Sequence, residues 1–179
     1  ITSGNGGVMY VYYRSMITVS NSTFEDNTAA GGGVAWIVGA DDTATFTDCT
    51  FDRNEASGNQ GGAVAVSAAS STTPTNLTIN NSTFEDNLTS YRFGGAVAVG
   101  ATSIAQSYGD LVITDSTFRG NSTSGSSNSS GGAVLVNTAG SHTVSISNTI
   151  FESNSAYVSG GALYINGAYE VDISLVQFL

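Results

Sequence analysis

Short stretches in which apolar and polar residues alternate recur along the chain, and each leads into a phenylalanine. The positions seven and five residues before the phenylalanine are apolar in all six stretches, and most of these residues are β-branched or leucine. A period of two with such residues indicates a strand that buries one face. The phenylalanines are Phe24, Phe51, Phe84, Phe118, Phe151 and Phe178. The pattern therefore predicts six equivalent strands and a stacked ladder of phenylalanines.

A pair of glycines precedes a second strand-like stretch in every repeat. The second and fourth residues after the pair are apolar, as Val97 and Val99 are after Gly94-Gly95. Paired glycines suit a corner at which the backbone needs a positive φ or a close approach. The pairs begin at Gly6, Gly32, Gly61, Gly94, Gly131 and Gly160. We predict three short strands per repeat: after the glycine pair, before a polar corner, and through the phenylalanine.

Polar residues at two fixed positions predict the corners. Three residues before the phenylalanine stands Asn or Asp in the first five repeats and Leu175 in the sixth; Asn and Asp tolerate left-handed backbone conformations. Three residues after it stands asparagine, and buried amides can satisfy one another when identical side chains stack. The predicted amide ladder is Asn27, Asn54, Asn87, Asn121 and Asn154. Cys49 has the same parity as the phenylalanine and is predicted to be a small buried residue.

Stacking these repeats in register gives the fold. Successive phenylalanines are 27, 33, 34, 33 and 27 residues apart, and no segment has helical periodicity. We therefore predict an all-β protein, a right-handed parallel β-helix (solenoid) of about six coils with three short strands each. Residues 1–179 are expected to form a single β-helix segment of a longer solenoid, since neither end carries a polar cap. The repeats are 6–31, 32–60, 61–93, 94–130, 131–159 and 160–179.

Composition narrows the classes of partner. The net charge is −10 and the four basic residues are all arginine, which disfavours nucleic acid and anionic membranes as partners. No run of residues is long and apolar enough to predict a membrane span. A single cysteine excludes an internal disulfide framework.

Glycosylation sequons suggest an extracellular or cell-surface location. Those at Asn87 and Asn121 fall in the predicted amide ladder, where a buried side chain cannot carry a glycan. The remaining candidate sites are Asn21, Asn76, Asn80, Asn81 and Asn128.

Two tetrapeptides alternate along the chain, Phe-x-x-Asn and Gly-Gly-Ala-(Val/Leu/Ile). They stand, for example, as Phe84-Glu85-Asp86-Asn87 with Gly94-Gly95-Ala96-Val97. This alternation resembles the repeat of the polymorphic outer-membrane protein (Pmp-type) family first known from chlamydiae. The resemblance covers essentially the whole chain and implies a surface-displayed right-handed β-helix used in adhesion. Similar repeats occur in large extracellular proteins of other organisms, and the first copies here have Gly-Gly-Val instead.

Outward-facing carboxylates are the main candidates for chemistry. We expect either a charge ladder whose signs partly compensate or a shallow Ca²⁺ site. The five carboxylates of this candidate site are Glu25, Asp26, Asp52, Glu85 and Asp86. The sequence offers no cofactor motif and no catalytic cluster. His142 and the pair Asp41-Asp42 are expected to be solvated.

A column of apolar residues, the third after each glycine pair, is predicted by parity to point outward. Its largest members, Tyr10, Trp36, Leu135 and Tyr164, are candidates for a surface that contacts protein chains or glycans. The alternative is that loops fold over this column.

The sequence thus favours a non-enzymatic extracellular repeat protein, acting in cell-surface adhesion or as a structural part of a surface appendage or filament. Its partners would be other protein chains or glycans, with end-to-end or lateral self-assembly as a further expectation. The alternative is a carbohydrate-binding or carbohydrate-active domain similar to pectate lyases.

Overall fold

A computed structural model of the chain describes residues 4–39, 41–68, 74–100, 109–125, 129–138 and 142–179. Within these ranges the regular structure is entirely β, and every pairing between strands is parallel. Each strand pairs with its equivalents in the coils above and below, giving four sheets that run along a solenoid. The predicted fold class and the six coils are confirmed.

Two sheets follow the glycine pairs and the alternating stretches. Sheet A consists of Met9–Tyr12, Ala35–Gly39, Val64–Ala68, Val97–Val99, Val134–Asn137 and Leu163–Asn166. Sheet B consists of Met16–Ser20, Thr43–Thr47, Asn76–Asn80, Leu111–Thr114, Thr143–Ser147 and Glu170–Ser174.

Two further sheets complete each coil. Sheet C, through the phenylalanines, consists of Thr23–Glu25, Thr50–Asp52, Thr83–Glu85, Thr117–Arg119, Ile150–Glu152 and Gln177–Phe178. Sheet D consists of Thr28–Ala29, Glu55–Ala56, Leu88–Thr89, Ser122–Thr123 and Ser155–Ala156. The prediction of three strands per coil is therefore wrong: the residues after the amide ladder form a fourth strand of two residues.

The interior is built from stacked identical side chains. The six phenylalanine rings stack with centroids 4.4–5.3 Å apart and planes within 20° of parallel. Phe46 meets Phe51 edge-on at 5.3 Å. The inward-facing apolar residues of sheets A and B form the rest of the core, in which Leu77, Ile79 and Val97 are fully buried. The aromatic ladder is confirmed.

The asparagine ladder is also confirmed, and in the middle coils each amide is fully paired. Asn87 Nδ2 donates to the Phe51 carbonyl and to Asn121 Oδ1, both at 2.9 Å. Its Oδ1 accepts from the backbone N–H and from Nδ2 of Asn54, at 3.0 and 2.9 Å. Because these four hydrogen bonds recur from coil to coil, the amides of the middle coils are buried without leaving a polar group unpaired.

Left-handed residues turn the chain at the corners. The predicted Asn/Asp corner between sheets B and C has φ of 45–54° in all six coils, and in the last coil Leu175 takes this conformation. The first glycine of each pair has φ of 56–70°. A Cβ on the second glycine, as at Gly95, would overlap the carbonyl oxygen of Gly132 in the next coil. Both glycines are therefore required for the coils to close and stack.

Candidate ligand-binding surface

The acidic residues of sheet C and its following corner surround Arg53. This arginine donates to Asp26 Oδ1 at 2.9 Å, to Glu25 Oε1 at 2.5 Å and to Asp52 Oδ2. The hydrogen bonds to Asp26 and Glu25 raise the pKa of Arg53 above its ordinary value. Three of the five candidate Ca²⁺ ligands thus already have a cationic partner.

Arg119 has the same role two coils further along. Its Nε lies 2.8 Å from Glu152 Oε2, and its Nη1 lies 3.7 Å from Glu85 Oε1. The hydrogen bond to Glu152 raises the pKa of Arg119. In the part of the chain that the structure describes, no group of three or more His, Cys, Asp or Glu residues is arranged to hold a metal ion. Four of the five candidate carboxylates, all except Asp86, thus form ion pairs with an arginine, which is the arrangement that the charge-ladder interpretation expects.

The apolar column after the glycine pairs, which we call the outer stripe, points away from the main core as predicted. It is only partly exposed, however. Tyr10 is 55% exposed, whereas Trp36 is 6% and Leu135 is 1% exposed. Tyr164 is half-buried and packs with Leu135, Ala98 and Phe93 in a second apolar cluster. Trp36 and Leu135 are therefore covered by other parts of the chain, as the interpretation with chain segments folded over the column expects, whereas Tyr10 is open to solvent.

The residues directly before the glycine pairs, which we call the bridge column, lie beside the stripe, as Gly31 does beside Trp36. These residues form isolated parallel bridges from coil to coil, outside the four sheets. In coil order the column is Asn5, Gly31, Gln60, Phe93, Ser130 and Ser159, and the stripe residues five positions later are Tyr10, Trp36, Ala65, Ala98, Leu135 and Tyr164. From the second coil onward, a large residue in one column stands five positions from a small one in the other. At Gly31, for example, a Cβ would overlap the Trp36 ring.

The Asn/Asp corner forms a second ladder on the solvent side. Asn81 Nδ2 donates to Asp48 Oδ1, and Asn148 Nδ2 donates to Asp115 Oδ1, each at 2.5 Å. Asn and Asp alternate here from coil to coil, so each carboxylate has an amide beside it. A shallow groove runs along this corner.

The sequon asparagines occupy three environments. Asn21 and Asn81 are exposed at the Asn/Asp corner. Asn76 and Asn80 are half-buried, and their Oδ1 atoms accept hydrogen bonds from Asp110 N–H and the Thr114 hydroxyl. Asn128 lies outside the described residues, while Asn87 and Asn121 are buried in the amide ladder.

Two loop residues differ from their expected solvated state. Asp42 is 1% exposed, and its Oδ1 accepts from the Ser15 backbone N–H at 2.6 Å. The His142 side chain is 15% exposed, with Nδ1 3.7 Å from Asp110 Oδ1. Each of the two residues directly precedes a strand of sheet B. Sequence alone gave no sign of this burial, because neither residue belongs to a repeating column.

Comparison with known proteins agrees with this architecture. The family described as "Right handed beta helix region" matches residues 1–178. The chain belongs to this family. The match confirms the right-handed β-helix predicted from the repeat. No curated protein and no solved structure gives a significant match. Among the described residues, no helix has the length and apolarity needed to cross a membrane.

Proposed function

We propose that this β-helix is a non-enzymatic extracellular protein that works by binding. It would act in cell-surface adhesion or as a structural component of a surface appendage or filament, in the manner of the Pmp-type proteins whose repeat it resembles. Its partners would be other protein chains, including copies of itself, or glycans on a surface.

The observation that carries this proposal is that the outward carboxylates form ion pairs with arginines. Glycoside hydrolysis uses a pair of acidic residues that flank the scissile bond, one to donate a proton and one to act as base or nucleophile. In this chain the outward acidic column is instead paired with Arg53 and Arg119. The repeating residues themselves are occupied by contacts between coils. What varies from coil to coil includes the outer stripe with its bridge column, and the accessible ends of this stripe, at Tyr10 and Tyr164, are suited to recognition.

Adhesion can be tested with beads that carry the full 179-residue chain. We expect the beads to attach to cell surfaces above the level of uncoated beads, or the free chain to form filaments visible by electron microscopy. If the beads do not attach and the free chain does not assemble, the proposal is contradicted.

A carbohydrate-active β-helix is the second candidate. The exposed tyrosines near the first coil, Tyr10 and Tyr12, stack at 6.4 Å and offer an aromatic surface of the kind that sugars contact. A screen of neutral and acidic polysaccharides, with and without Ca²⁺, distinguishes the two functions. Release of reducing ends or of unsaturated products would favour the enzyme, and its absence with retained binding would favour the adhesin.

A further inference from the structure

The bridge column carries large residues in the middle coils and small residues further along. Gln60 and Phe93 are large, and Phe93 packs against Ala98 and Leu135 of the stripe. Ser130 and Ser159 are small and lie beside Leu135 and Tyr164. As a result, a cavity of about 320 Å³ opens between the two columns in the last coils. This volume is at the lower end of the range for small-molecule sites, about 300–1,000 Å³.

The cavity has an apolar floor and a polar rim. Phe93, Leu135 and Tyr164 form the floor, and the three residues belong to one apolar cluster. Asn137 and Asn166 stand at adjacent positions of sheet A and line the cavity, with Asn166 Nδ2 donating to Asn137 Oδ1 at 3.0 Å. Within the described residues, Asn137 Nδ2 and Asn166 Oδ1 make no hydrogen bond, so the rim offers one donor and one acceptor side by side.

We propose that this cavity binds a neutral sugar residue of a surface glycan. A sugar ring presents an apolar face of C–H groups that can lie on Tyr164, together with neighbouring hydroxyls that can pair with the two amides. The described lining residues carry no formal charge, so an ionised ligand would lose its hydration without gaining a partner. A wholly apolar occupant is also disfavoured, because it would leave the amides and the Tyr164 hydroxyl unpaired. This inference rests on the proposed function, since it names the ligand class of the adhesive surface.

Three variants of the full chain test the site. Tyr164→Ala removes the aromatic contact and Asn166→Ala removes the acceptor. Ser159→Phe fills the cavity with the residue that the same column already carries at Phe93. The matched control is Tyr169→Ala, which removes an exposed aromatic residue of the same last coil that does not line the cavity. Circular dichroism and protection of the buried Cys49 thiol would check that each variant is folded.

Binding is measured on an array of neutral hexose and N-acetylhexosamine oligosaccharides printed beside uronic-acid and sialylated ones. We expect binding to neutral oligosaccharides. Tyr164→Ala should weaken it about tenfold, the loss of roughly one aromatic contact. Ser159→Phe should abolish the binding, and Tyr169→Ala should preserve it. Binding confined to acidic glycans, binding unchanged by Ser159→Phe and Tyr164→Ala, or no glycan binding would each overturn the inference.

The bead assay separates this inference from the proposed function. If beads carrying Ser159→Phe still attach to cells, or attach after enzymatic removal of the cell glycans, adhesion depends on another surface and the cavity proposal fails alone. If beads carrying the unaltered chain do not attach or assemble although the array shows neutral-glycan binding at the cavity, the proposed function fails and the cavity proposal stands.

Discussion

Replacing Asn87 by alanine tests whether the amide ladder stabilises the solenoid as the hydrogen bonds indicate. The side chain makes four buried hydrogen bonds, two as donor and two as acceptor. At about 1 kcal/mol for each bond, the substitution should lower the free energy of unfolding by about 4 kcal/mol. One of the bonds is to the backbone N–H of Asn54, which alanine would leave unpaired in a buried position. The loss is a large share of the roughly 5–15 kcal/mol that stabilises a typical domain.

The position in the ladder supplies the controls. Asn27, in the first coil, donates one side-chain hydrogen bond, to Asn54 Oδ1, so Asn27→Ala should cost about 1 kcal/mol. Asn154 makes three, and Asn154→Ala should fall between the two. Thr78→Ala, on the outer face of the same coil as Asn87, should change stability by less than about 0.5 kcal/mol.

Equilibrium unfolding in urea, followed by circular dichroism, measures all four variants. Comparable slopes with denaturant are required before the free energies are compared. The reasoning would be refuted if Asn87→Ala cost no more than Asn27→Ala, because the number of hydrogen bonds would then not determine the loss.

Three further predictions concern the corners, the charge ladder and the thiol. Gly95→Ala should prevent stable folding, because its Cβ would overlap the Gly132 carbonyl oxygen and lie 2.6 Å from the Ser122 carbonyl oxygen. The control Gly4→Ala should be neutral, because no atom lies within 4 Å of its Cβ. Expression yield and thermal unfolding compare the two variants. Arg53→Ala should give the chain a Ca²⁺-dependent rise in melting temperature that the unaltered chain and Arg92→Ala lack, because it leaves Glu25, Asp26 and Asp52 without their cation. An equal rise in the unaltered chain would contradict this. The Cys49 thiol, 2% exposed, should resist alkylation by iodoacetamide until the chain unfolds, and rapid labelling of the native protein would show that the core opens locally.

The sequence predicted those features that repeat in every coil. Phe84 and Asn87 recur at fixed distances, and identical neighbours can stack only if the coils are in register. The left-handed corner at Asp48 was predictable because Asn and Asp favour that conformation. A second left-handed corner, two residues after each phenylalanine, was missed. Its residues are Asp26, Arg53, Asp86, Gly120 and Ser153, a mixture in which only the glycine and the two aspartates give any signal.

The fourth strand, and the identity of the residues beside the outer stripe, were missed for physical reasons. A strand of two residues such as Thr28–Ala29 has no periodicity to detect. Its one regularity is a small buried residue five positions after the phenylalanine, as at Ala56 and Thr89. Parity predicted correctly that Trp36 points away from the main core, but parity says nothing about what covers a residue. The signal was the inverse relation in size between residues five positions apart, such as Gly31 and Trp36.

Because Asn and Asp alternate at the solvent corner, the number of coils removed from the solenoid decides which corner residues become neighbours. Removing residues 61–93, one whole coil, would set Asp48 directly beside Asp115, about 4.8 Å away, with no amide between the two carboxylates. Removing residues 61–130, two coils, would set Asp48 beside Asn148 and restore the pairing. The core repeats every coil, but this edge repeats every second coil. Removing two coils therefore keeps the alternation at this corner, whereas removing a single coil that carries the amide brings two carboxylates together.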